Sequence, residues 1–379
     1  MDFEYSEEQQ LLADSLRKYL ASAYDFEARK KIIHSDSGFG ATAWATFSEM
    51  GLMAIPFPAA DGGFGGGAVD LMAAMEAFGE VLVVEPVLDN IGLAGRLLAH
   101  TGSAAQKKAL LDGLMDGSRK LAFASLERGR RYEVDPVTTT AARSALGWTL
   151  NGEKLVVVGA PMADTLLVSA RTAAGASLFL LDPKADGVSL RSYRTVDGQR
   201  AADVVLSDVA LAADALLGQD GAALPVIEEA VDFATALVCA DAVGTMKSAN
   251  DATLEYLKTR KQFGAPIGAF QALQHRMVDM FIACEQARSM AILAACRVDA
   301  AAPHLHDTTA ATQRKAAVSS AMVCIADAAR LISQESVQLH GGMGMSEEMK
   351  VSHSFRRLTV LGQRFGDADH HLERYAALS

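Results

Sequence analysis

The sequence predicts an α+β protein in which a helical N-terminal domain, a middle β-barrel domain and a C-terminal four-helix bundle follow one another. Two changes of hydrophobic periodicity indicate this order. Apolar residues recur at helical spacing, then at a spacing of two, then again at helical spacing. We therefore place the domains at residues 1–118, 119–222 and 223–379. With 379 residues and 50% hydrophobic content, the chain can bury the cores that these domains need.

The N-terminal domain opens on a helix-start signal. Ser6-Glu7-Glu8-Gln9 has the form of a capping box, and apolar residues follow it at helical spacing. The glycine-rich stretch 61–67 has neither the spacing of a dinucleotide fingerprint nor the lysine of a P-loop. We interpret it as a loop.

The middle domain carries strand-like runs between turn signals. Asn151-Gly152 stands between two such runs and predicts a two-residue hairpin turn. Four further short strands are predicted at Thr165–Ala170, Ser177–Leu181, Val188–Tyr193 and Ala202–Leu206.

The last third contains three long helical stretches with short breaks. They span Pro225–Arg260, Ala269–Ala302 and Thr308–Leu339, and Gly341-Gly342 ends the third. Long helices joined by short connections are typical of an antiparallel bundle.

Charge and composition exclude several classes of function. The net charge of −11 disfavours general nucleic-acid binding, which needs Lys and Arg to neutralise phosphate. The sequence shows no apolar run of the length that predicts a membrane span, and Met1-Asp2-Phe3-Glu4 lacks the basic start of a secretory signal. We expect a cytoplasmic protein whose four cysteines are free thiols.

Two motifs in the last third carry a family resemblance. Arg260-Lys261-Gln262-Phe263-Gly264, followed by Phe270-Gln271, resembles the RKxFGxxI…FQ signature of the acyl-CoA dehydrogenases. Gln338-Leu339-His340-Gly341-Gly342-Met343-Gly344 resembles their QxxGGxG turn. The resemblance extends over essentially the whole chain, and it implies the three-domain fold of that family.

The resemblance also implies that these motifs bind the adenine half of an FAD whose flavin lies mainly in a neighbouring subunit. Arg260 offers a planar guanidinium to the pyrophosphate, Phe263 offers an aromatic face to adenine, and glycines permit close backbone approach. The alternative is that Phe263 and Gln271 only pack between helices. The residues assigned to FAD are Arg260, Gln262, Phe263, Gln271, Gln338, Leu339, Gly341 and Gly342.

The middle domain departs from the family at the residues that would contact the flavin. In the stretch that matches the family's TEPGAGSD-like loop, Phe123–Arg131, only Glu127 is shared. Val156, Val157 and Val158 match the family's WIT-like strand, and valine has no side-chain donor for a flavin nitrogen.

The catalytic base is also missing where the family carries it. The position of the usual Glu holds Phe365, and the position used by some members holds Ala234. Asp232, Asp367 and Asp369 are the nearby acids, so the catalytic residue stays unassigned among these weak candidates. We interpret Asp369-His370-His371 as the start of a helix rather than a metal site.

A closer resemblance accounts for these departures. Leu257–Gly264, Phe365–Leu372 and Tyr24–Phe26 look like the small subunits of pimeloyl-CoA dehydrogenases. In such pairs the partner subunit typically keeps the catalytic Glu and the flavin contacts.

The resemblance therefore implies an FAD-dependent acyl-CoA dehydrogenase subunit. It would oxidise an acyl-CoA to the trans-2-enoyl-CoA beside a paralogous large subunit and pass electrons to an electron-transfer flavoprotein. Two alternatives stay open: a self-sufficient homo-oligomer with an Asp base, and a non-catalytic FAD-binding scaffold. The acyl group is open too. A dicarboxylyl chain could meet Arg128, Arg130 or Arg131, and fatty or steroid-derived chains are the other options.

Overall fold

The computed structural model describes residues 6–378, so the stretch Met1–Glu4 considered above lies outside them. It confirms the helical, β and helical order. In the N-terminal region the predicted capping box of Ser6 and Gln9 starts the first helix. The helices of this region are α1 (Glu7–Ala23), α2 (Phe26–His34), α3 (Ala41–Glu49), α4 (Ala68–Val81), a π-helix (Leu88–Gly95), α5 (Arg96–Thr101) and α6 (Ala104–Met115).

The middle region is an eight-stranded sheet with a core of its own. Its strands are β1 (Leu121–Ala124), β2 (Thr140–Ser144), β3 (Gly147–Val158), β4 (Thr165–Arg171), β5 (Ala176–Leu181), β6 (Val188–Arg194), β7 (Arg200–Ala212) and β8 (Leu216–Leu217). They follow the order β6-β7-β3-β2-β4-β5-β8, and β1 pairs in parallel with β4. The four further strands predicted from the sequence correspond to β4, β5, β6 and β7.

The hairpin predicted at Asn151-Gly152 is wrong, because β3 runs straight through these residues. The chain turns instead at the two residues between β2 and β3. Asn151 lies at a bulge. Its side-chain Nδ2 donates to the Asp208 carboxylate at 2.9 Å, and the backbone N–H of Asp208 donates to Asn151 Oδ1 at 2.8 Å. These cross-strand bonds override the local turn preference of the dipeptide.

The C-terminal region is a helical bundle in which α7 (Leu224–Thr259), α8 (Gln271–Ala301), α9 (Thr308–His340) and α10 (Lys350–Leu361) pack on one another. A short hairpin of β9 (Lys261–Gln262) and β10 (Ala265–Pro266) joins α7 to α8, and α11 (Ala368–Ala376) packs against α9. The cysteines Cys239, Cys284, Cys296 and Cys324 are free thiols, as expected.

Among residues 6–378, the stretch Thr308–Met345 is long and apolar enough to pass for a membrane span by length and composition. Half of its most apolar window is buried inside the protein. That burial is typical of the inner helix of a bundle, which passes the same test.

Glycines let the N-terminal region approach the bundle closely. A Cβ added at Gly79 of α4 would lie 2.1 Å from the carbonyl oxygen of Asp241, and one added at Gly244 of α7 would lie 1.9 Å from that of Glu76. Such distances are far below van der Waals contact, so α4 and α7 can cross here only because both positions lack a side chain.

A buried charge network joins the three regions. Arg29 of α2 donates to the carbonyl oxygen of Asp197, in the loop between β6 and β7, at 2.7 Å. The Asp197 carboxylate accepts from Arg357 of α10 at 2.8 Å, and Arg357 also pairs with Asp241 of α7. All four side chains are buried. The network therefore fixes how the sheet sits against both helical regions.

Candidate functional site

The hairpin that holds the first motif displays its side chains to solvent. Gln262 pairs with Ala265, so Phe263 and Gly264 form a two-residue turn, and both have positive φ, 53° and 82°. That geometry is a type I′ turn. Phe263 is 92% exposed, and Arg260, which ends α7, is exposed as well.

The second motif lies beside the first because the ends of α7 and α9 meet. The ring of Tyr256, one turn before Arg260, stacks on the ring of His340 with 4.4 Å between centroids. Gly341 has a positive φ of 64°, and an added Cβ at Gly341 or Gly342 would meet no atom within 4 Å. The backbone at these two glycines is therefore open to a ligand.

The predicted FAD residues are distributed as follows. Arg260, Gln262, Phe263, Gln271, Gln338, Gly341 and Gly342 are exposed, whereas the side chain of Leu339 is buried in the core. An exposed guanidinium, an aromatic face and open glycine backbone suit the pyrophosphate and adenine of FAD. We call this surface the adenine surface. Leu339 can reach such a ligand only through its backbone.

An exposed apolar stripe continues from the adenine surface along α8. Phe270 contacts Phe263 edge to face with 6.1 Å between ring centroids. Val278, Phe281 and Ile282 then follow at helical spacing, each about half exposed. Contiguous exposed apolar surface of this kind marks an interaction site.

A cavity of about 470 Å³ lies where the three regions meet. We call it the interdomain cavity. Its walls come from the π-helix, β1, β3, the β6–β7 loop, α10 and the segment after it, and they include Leu93, Phe123, Val158, Val360 and Phe365. The size is that of a small-molecule site. In the described chain, no residue of the adenine surface lines this cavity.

The valines that match the family's flavin strand lie at the interdomain cavity. Val156 and Val158 line it, and Val156 is strained, since its φ of 50° is a rare conformation for a β-branched residue. The strain sits at a bulge of β3 against β7, where the Val156 N–H donates to the Asp203 carboxylate at 3.1 Å. Strained backbone of this kind concentrates at functional sites.

Glu127, the residue shared with the family's loop, is a structural anchor. Its carboxylate accepts from the backbone N–H groups of residues 137, 138 and 139 and pairs with the fully buried Lys154 at 2.9 Å. Burial acts to raise the pKa of Glu127, but the Lys154 charge and these N–H donors outweigh it and lower that pKa. Burial lowers the pKa of Lys154 to about 8. Glu127 thus stays ionised and holds the loop before β2.

None of the three acids considered as bases belongs to the cavity lining, and two of them are already engaged elsewhere. Asp232 is buried and pairs with Arg314 at 2.8 Å and Arg374 at 2.6 Å. Asp367 caps α11, where its side chain accepts from the backbone N–H of His370 at 2.9 Å. Asp369 is exposed in a shallow groove between α9, α10 and α11. None of the three lines the interdomain cavity.

The two positions that match the family's Glu differ in surroundings. Phe365 lines the interdomain cavity with a φ of 59°, whereas Ala234 is fully buried within α7. A carboxylate at residue 365 would therefore have faced the cavity, and the phenyl ring contributes apolar wall there instead.

The basic loop considered for a distal carboxylate lies outside the cavity lining. Arg128 pairs with Glu153 at 3.1 Å and is largely exposed, and Arg130 pairs with Glu133. Arg131 is exposed. These contacts agree with a solvated basic loop. No group of three or more His, Cys, Asp or Glu within residues 6–378 is arranged to hold a metal ion.

Sequence reasoning missed the ion pair of Asp89 and Arg364, which lines the cavity. Asp89 belongs to the π-helix, and Arg364 follows α10. A signal was present in the sequence, because Asp89 and Asn90 interrupt an otherwise apolar run from Val87 to Gly95. A buried carboxylate in such a run needs a partner or a function.

Family comparison agrees with this architecture along the whole chain. Residues 6–118 match the acyl-CoA dehydrogenase N-terminal domain, residues 122–209 the middle domain and residues 221–377 the C-terminal domain. The chain belongs to the acyl-CoA dehydrogenase family. This family consists of flavoprotein oxidoreductases. The adenine surface and the interdomain cavity are therefore the two candidate ligand sites of this chain.

Individual acyl-CoA dehydrogenases resemble the chain over nearly its full length. FadE12 of Mycobacterium tuberculosis strain H37Rv is 31% identical over 361 residues, covering 92% of this chain and 89% of that protein. The ChsE4-ChsE5 complex of Mycobacterium tuberculosis contains a chain with a TM-score of 0.89 and 26% identity, covering 100% and 98% of the two chains. The Tcur3481-Tcur3483 steroid ACAD has a TM-score of 0.86 and 28% identity, covering 98% and 97%.

Proposed function

We propose that this chain is one subunit of an FAD-dependent acyl-CoA dehydrogenase and that a paralogous subunit supplies the catalytic Glu. The complex would oxidise an acyl-CoA to the trans-2-enoyl-CoA and pass electrons to an electron-transfer flavoprotein in the cytoplasm. The observation that carries the proposal is the openness of the adenine surface beside an exposed apolar stripe. An adenine laid on Phe263 has protein on one side only, so a second subunit is needed to cover the other.

The side chains of this chain indicate which catalytic groups it supplies and which the partner subunit must supply. When bound, FAD supplies the acceptor for the hydride that leaves the β-carbon. The proton on the α-carbon needs a carboxylate held within hydrogen-bond reach. Asp89 is the carboxylate that lines the interdomain cavity, and it is already ion-paired with Arg364. The chain therefore contributes the adenine surface, and the partner contributes the base.

Assembly with a second subunit has precedent among the structural relatives, which include the ChsE4-ChsE5 complex and the Tcur3481-Tcur3483 steroid ACAD. The small-subunit resemblance seen in Leu257–Gly264 and Phe365–Leu372 favours the same arrangement. We extend it to this chain as a heteromer in which each FAD bridges two subunits.

Co-expression with each paralogue encoded near its gene tests the proposal. We expect a yellow complex that holds less than one FAD per chain and reduces a dye with acyl-CoA. Arg260→Ala should weaken FAD binding about 10- to 100-fold, since a hydrogen bond to a charged group contributes about 1.5–3 kcal/mol. Arg297→Ala is the matched control, because Arg297 is exposed near the opposite end of α8. FAD content by absorbance and dye reduction are the measurements.

Other outcomes would select the alternatives. One FAD per chain and full turnover in the isolated protein would favour a homo-oligomer with its own base, and loss of turnover in Asp367→Ala would then support that base. A complex in which Arg260→Ala weakens assembly but leaves the chemistry of the partner unchanged would favour a scaffold. A colourless, inactive mixture with every neighbouring paralogue would contradict all three.

A further inference from the structure

A groove of about 430 Å³ lies between α1, α4, α7 and α8, and we call it the α8 groove. Within the described chain, it shares no lining residue with the interdomain cavity. Phe281 lines the groove and also belongs to the exposed apolar stripe that runs along α8 from the adenine surface. Phe270 and Phe281 are about 16 Å apart along this helix. A subunit interface of ordinary size, about 800 Å² on each side, is wide enough to cover both.

The charged side chains of the α8 groove leave one carboxylate over. Each of its three cations pairs with an acid of the groove: Arg17 with Glu80 at 3.4 Å, Lys247 with Asp251 at 3.1 Å, and Arg288 with Glu76 at 3.7 Å. The fourth acid, Glu285, forms no ion pair among residues 6–378. It is exposed one turn after Phe281 on α8. The groove therefore has one negative charge in excess, next to the apolar stripe.

Asn250 of α7 leaves a second acceptor in the wall of the groove. Its side chain is 8% exposed, and its Nδ2 donates to the carbonyl oxygen of Met280 at 3.2 Å. Because a carbonyl oxygen can only accept, this bond fixes which way the amide points. Asn250 Oδ1 then has no hydrogen-bond partner within the described chain. Buried polar groups nearly always have a partner, so this oxygen is expected to receive a donor.

We propose that the α8 groove receives an arginine side chain of the paralogous subunit. The guanidinium pairs with Glu285, donates to Asn250 Oδ1 and lies against the ring of Phe281. A guanidinium suits these groups better than an ammonium, because its five N–H donors form a plane that serves separate acceptors and stacks on an aromatic face. The inference rests on the proposed function, because it presumes the heteromer, and it adds the chemistry of one anchor between the subunits.

Charge and desolvation disfavour the other side chains that a partner could present. An acidic side chain would be repelled by Glu285, while the three cations of the groove are already paired with acids. An apolar side chain would cover Glu285 and Asn250 Oδ1 without a donor, which costs binding energy. A cationic donor is the group that satisfies both acceptors.

The affinity between the two subunits tests this inference. The FAD-loaded complex would be diluted and its dissociation constant measured by sedimentation velocity. Glu285→Gln keeps the shape of an exposed side chain and removes its charge. We expect the dissociation constant to rise about 10- to 100-fold, as the loss of a hydrogen bond to a charged group allows. Glu49→Gln, which changes an exposed acid at the end of α3, is the matched control and should change it less than about twofold.

Charge reversal tests that the occupant is an arginine. Glu285→Lys should weaken assembly more than Glu285→Gln, because two cations would then face each other. Changing the surface arginines of the paralogue to glutamate one at a time should reveal one substitution that restores assembly with Glu285→Lys. The wild-type dissociation constant should also rise more steeply with salt than that of Glu285→Gln.

The inference is overturned if Glu285→Gln assembles as tightly as the wild type, or if no arginine substitution in the paralogue restores assembly with Glu285→Lys. Self-association of the isolated chain that depends on Glu285 would assign the groove to a second copy and overturn it as well. Dye reduction with acyl-CoA, measured in the wild-type complex, reports on the proposed function separately. An active complex whose affinity does not depend on Glu285 would remove the inference alone, whereas absence of any complex with every neighbouring paralogue would remove both.

Discussion

At the scale of single residues, His371 shows how burial sets a protonation state. The side chain is 1% exposed, its Nδ1 lies 3.3 Å from the Ser319 hydroxyl, and its Nε2 has no hydrogen-bond partner among residues 6–378. Burial, followed by the nearby Arg374 charge, lowers the pKa of His371 to about 3. The folded protein therefore holds this imidazole neutral, whereas the unfolded chain protonates it near its usual pKa of 6.5.

Acid should therefore destabilise the fold through His371. The unfolded state binds the extra proton below about pH 6.5, so the stability contributed by the neutral ring is present above that pH and falls as the pH decreases. From pH 7 to pH 5 the free energy of unfolding should drop by about 2 kcal/mol more in the wild type than in His371→Leu. Urea denaturation at both pH values measures this difference. The exposed His275→Leu serves as control, and an equal drop in wild type and His371→Leu would contradict the assignment.

At the scale of elements, the crossing of α4 and α7 depends on two glycines. Gly244→Ala places a methyl group against the backbone of Glu76, so the helices must move apart. We expect a loss of about 1–3 kcal/mol in the free energy of unfolding. Gly342→Ala meets no atom within 4 Å and should leave stability unchanged while it weakens FAD binding. Denaturation and FAD titration of the two variants should give opposite patterns, and equal stability losses would refute this account.

Elements whose signal is local were predictable, and those set by tertiary contacts were not. The 3.6-residue period of α7, α8 and α9 is visible in the sequence of each helix, and the capping box at Ser6 is visible within four consecutive residues. The π-helix is different, because its course depends on distant partners: an added Cβ at Gly92 would lie 2.8 Å from Leu237. The hairpin at Asn151-Gly152 was mispredicted for the same reason. The residue that holds Asn151 in the strand, Asp208, is 57 residues away in sequence.

In the candidate site, too, residues close in sequence were predictable and residues brought together by the fold were not. The surface that we propose for adenine could be assigned from the sequence because its residues are contiguous in two motifs, and each motif lies where an α-helix ends. The Asp89–Arg364 pair could not, because its members are 275 residues apart and no spacing rule connects them. Leu339 belongs to a binding motif by sequence, yet the helical phase of α9 turns its side chain into the core.

At the scale of the whole molecule, the charge network through Asp197 couples the sheet to both helical regions. Burial acts to raise the pKa of Asp197, but Arg357 and a hydrogen bond from Thr195 outweigh it and lower that pKa. Its carboxylate is thus ionised in the folded state, and the stability that it contributes is lost as the pH falls below its usual range.

Removing this carboxylate should loosen the whole assembly. Asp197→Ala leaves part of the Arg357 charge uncompensated, and we expect a loss of about 3–5 kcal/mol in the free energy of unfolding. Asp186→Ala, an exposed acid near the start of β6, should change it by less than about 0.5 kcal/mol. Hydrogen exchange should also rise across residues 195–199, several of which line the interdomain cavity. A variant as stable as wild type would show that the network does not couple the regions.

The exposure of Phe263 and of the stripe on α8 has a consequence for how the cell makes this protein. A phenyl ring in water at the tip of a turn, and the half-exposed Phe281 and Ile282 further along α8, are features that chaperones and proteases bind in unassembled chains. If a second subunit covers this surface as proposed, copies synthesised in excess of that subunit would be degraded or would aggregate. We therefore expect the two genes to be translated in matched amounts, so that nascent chains meet their counterpart before quality control does.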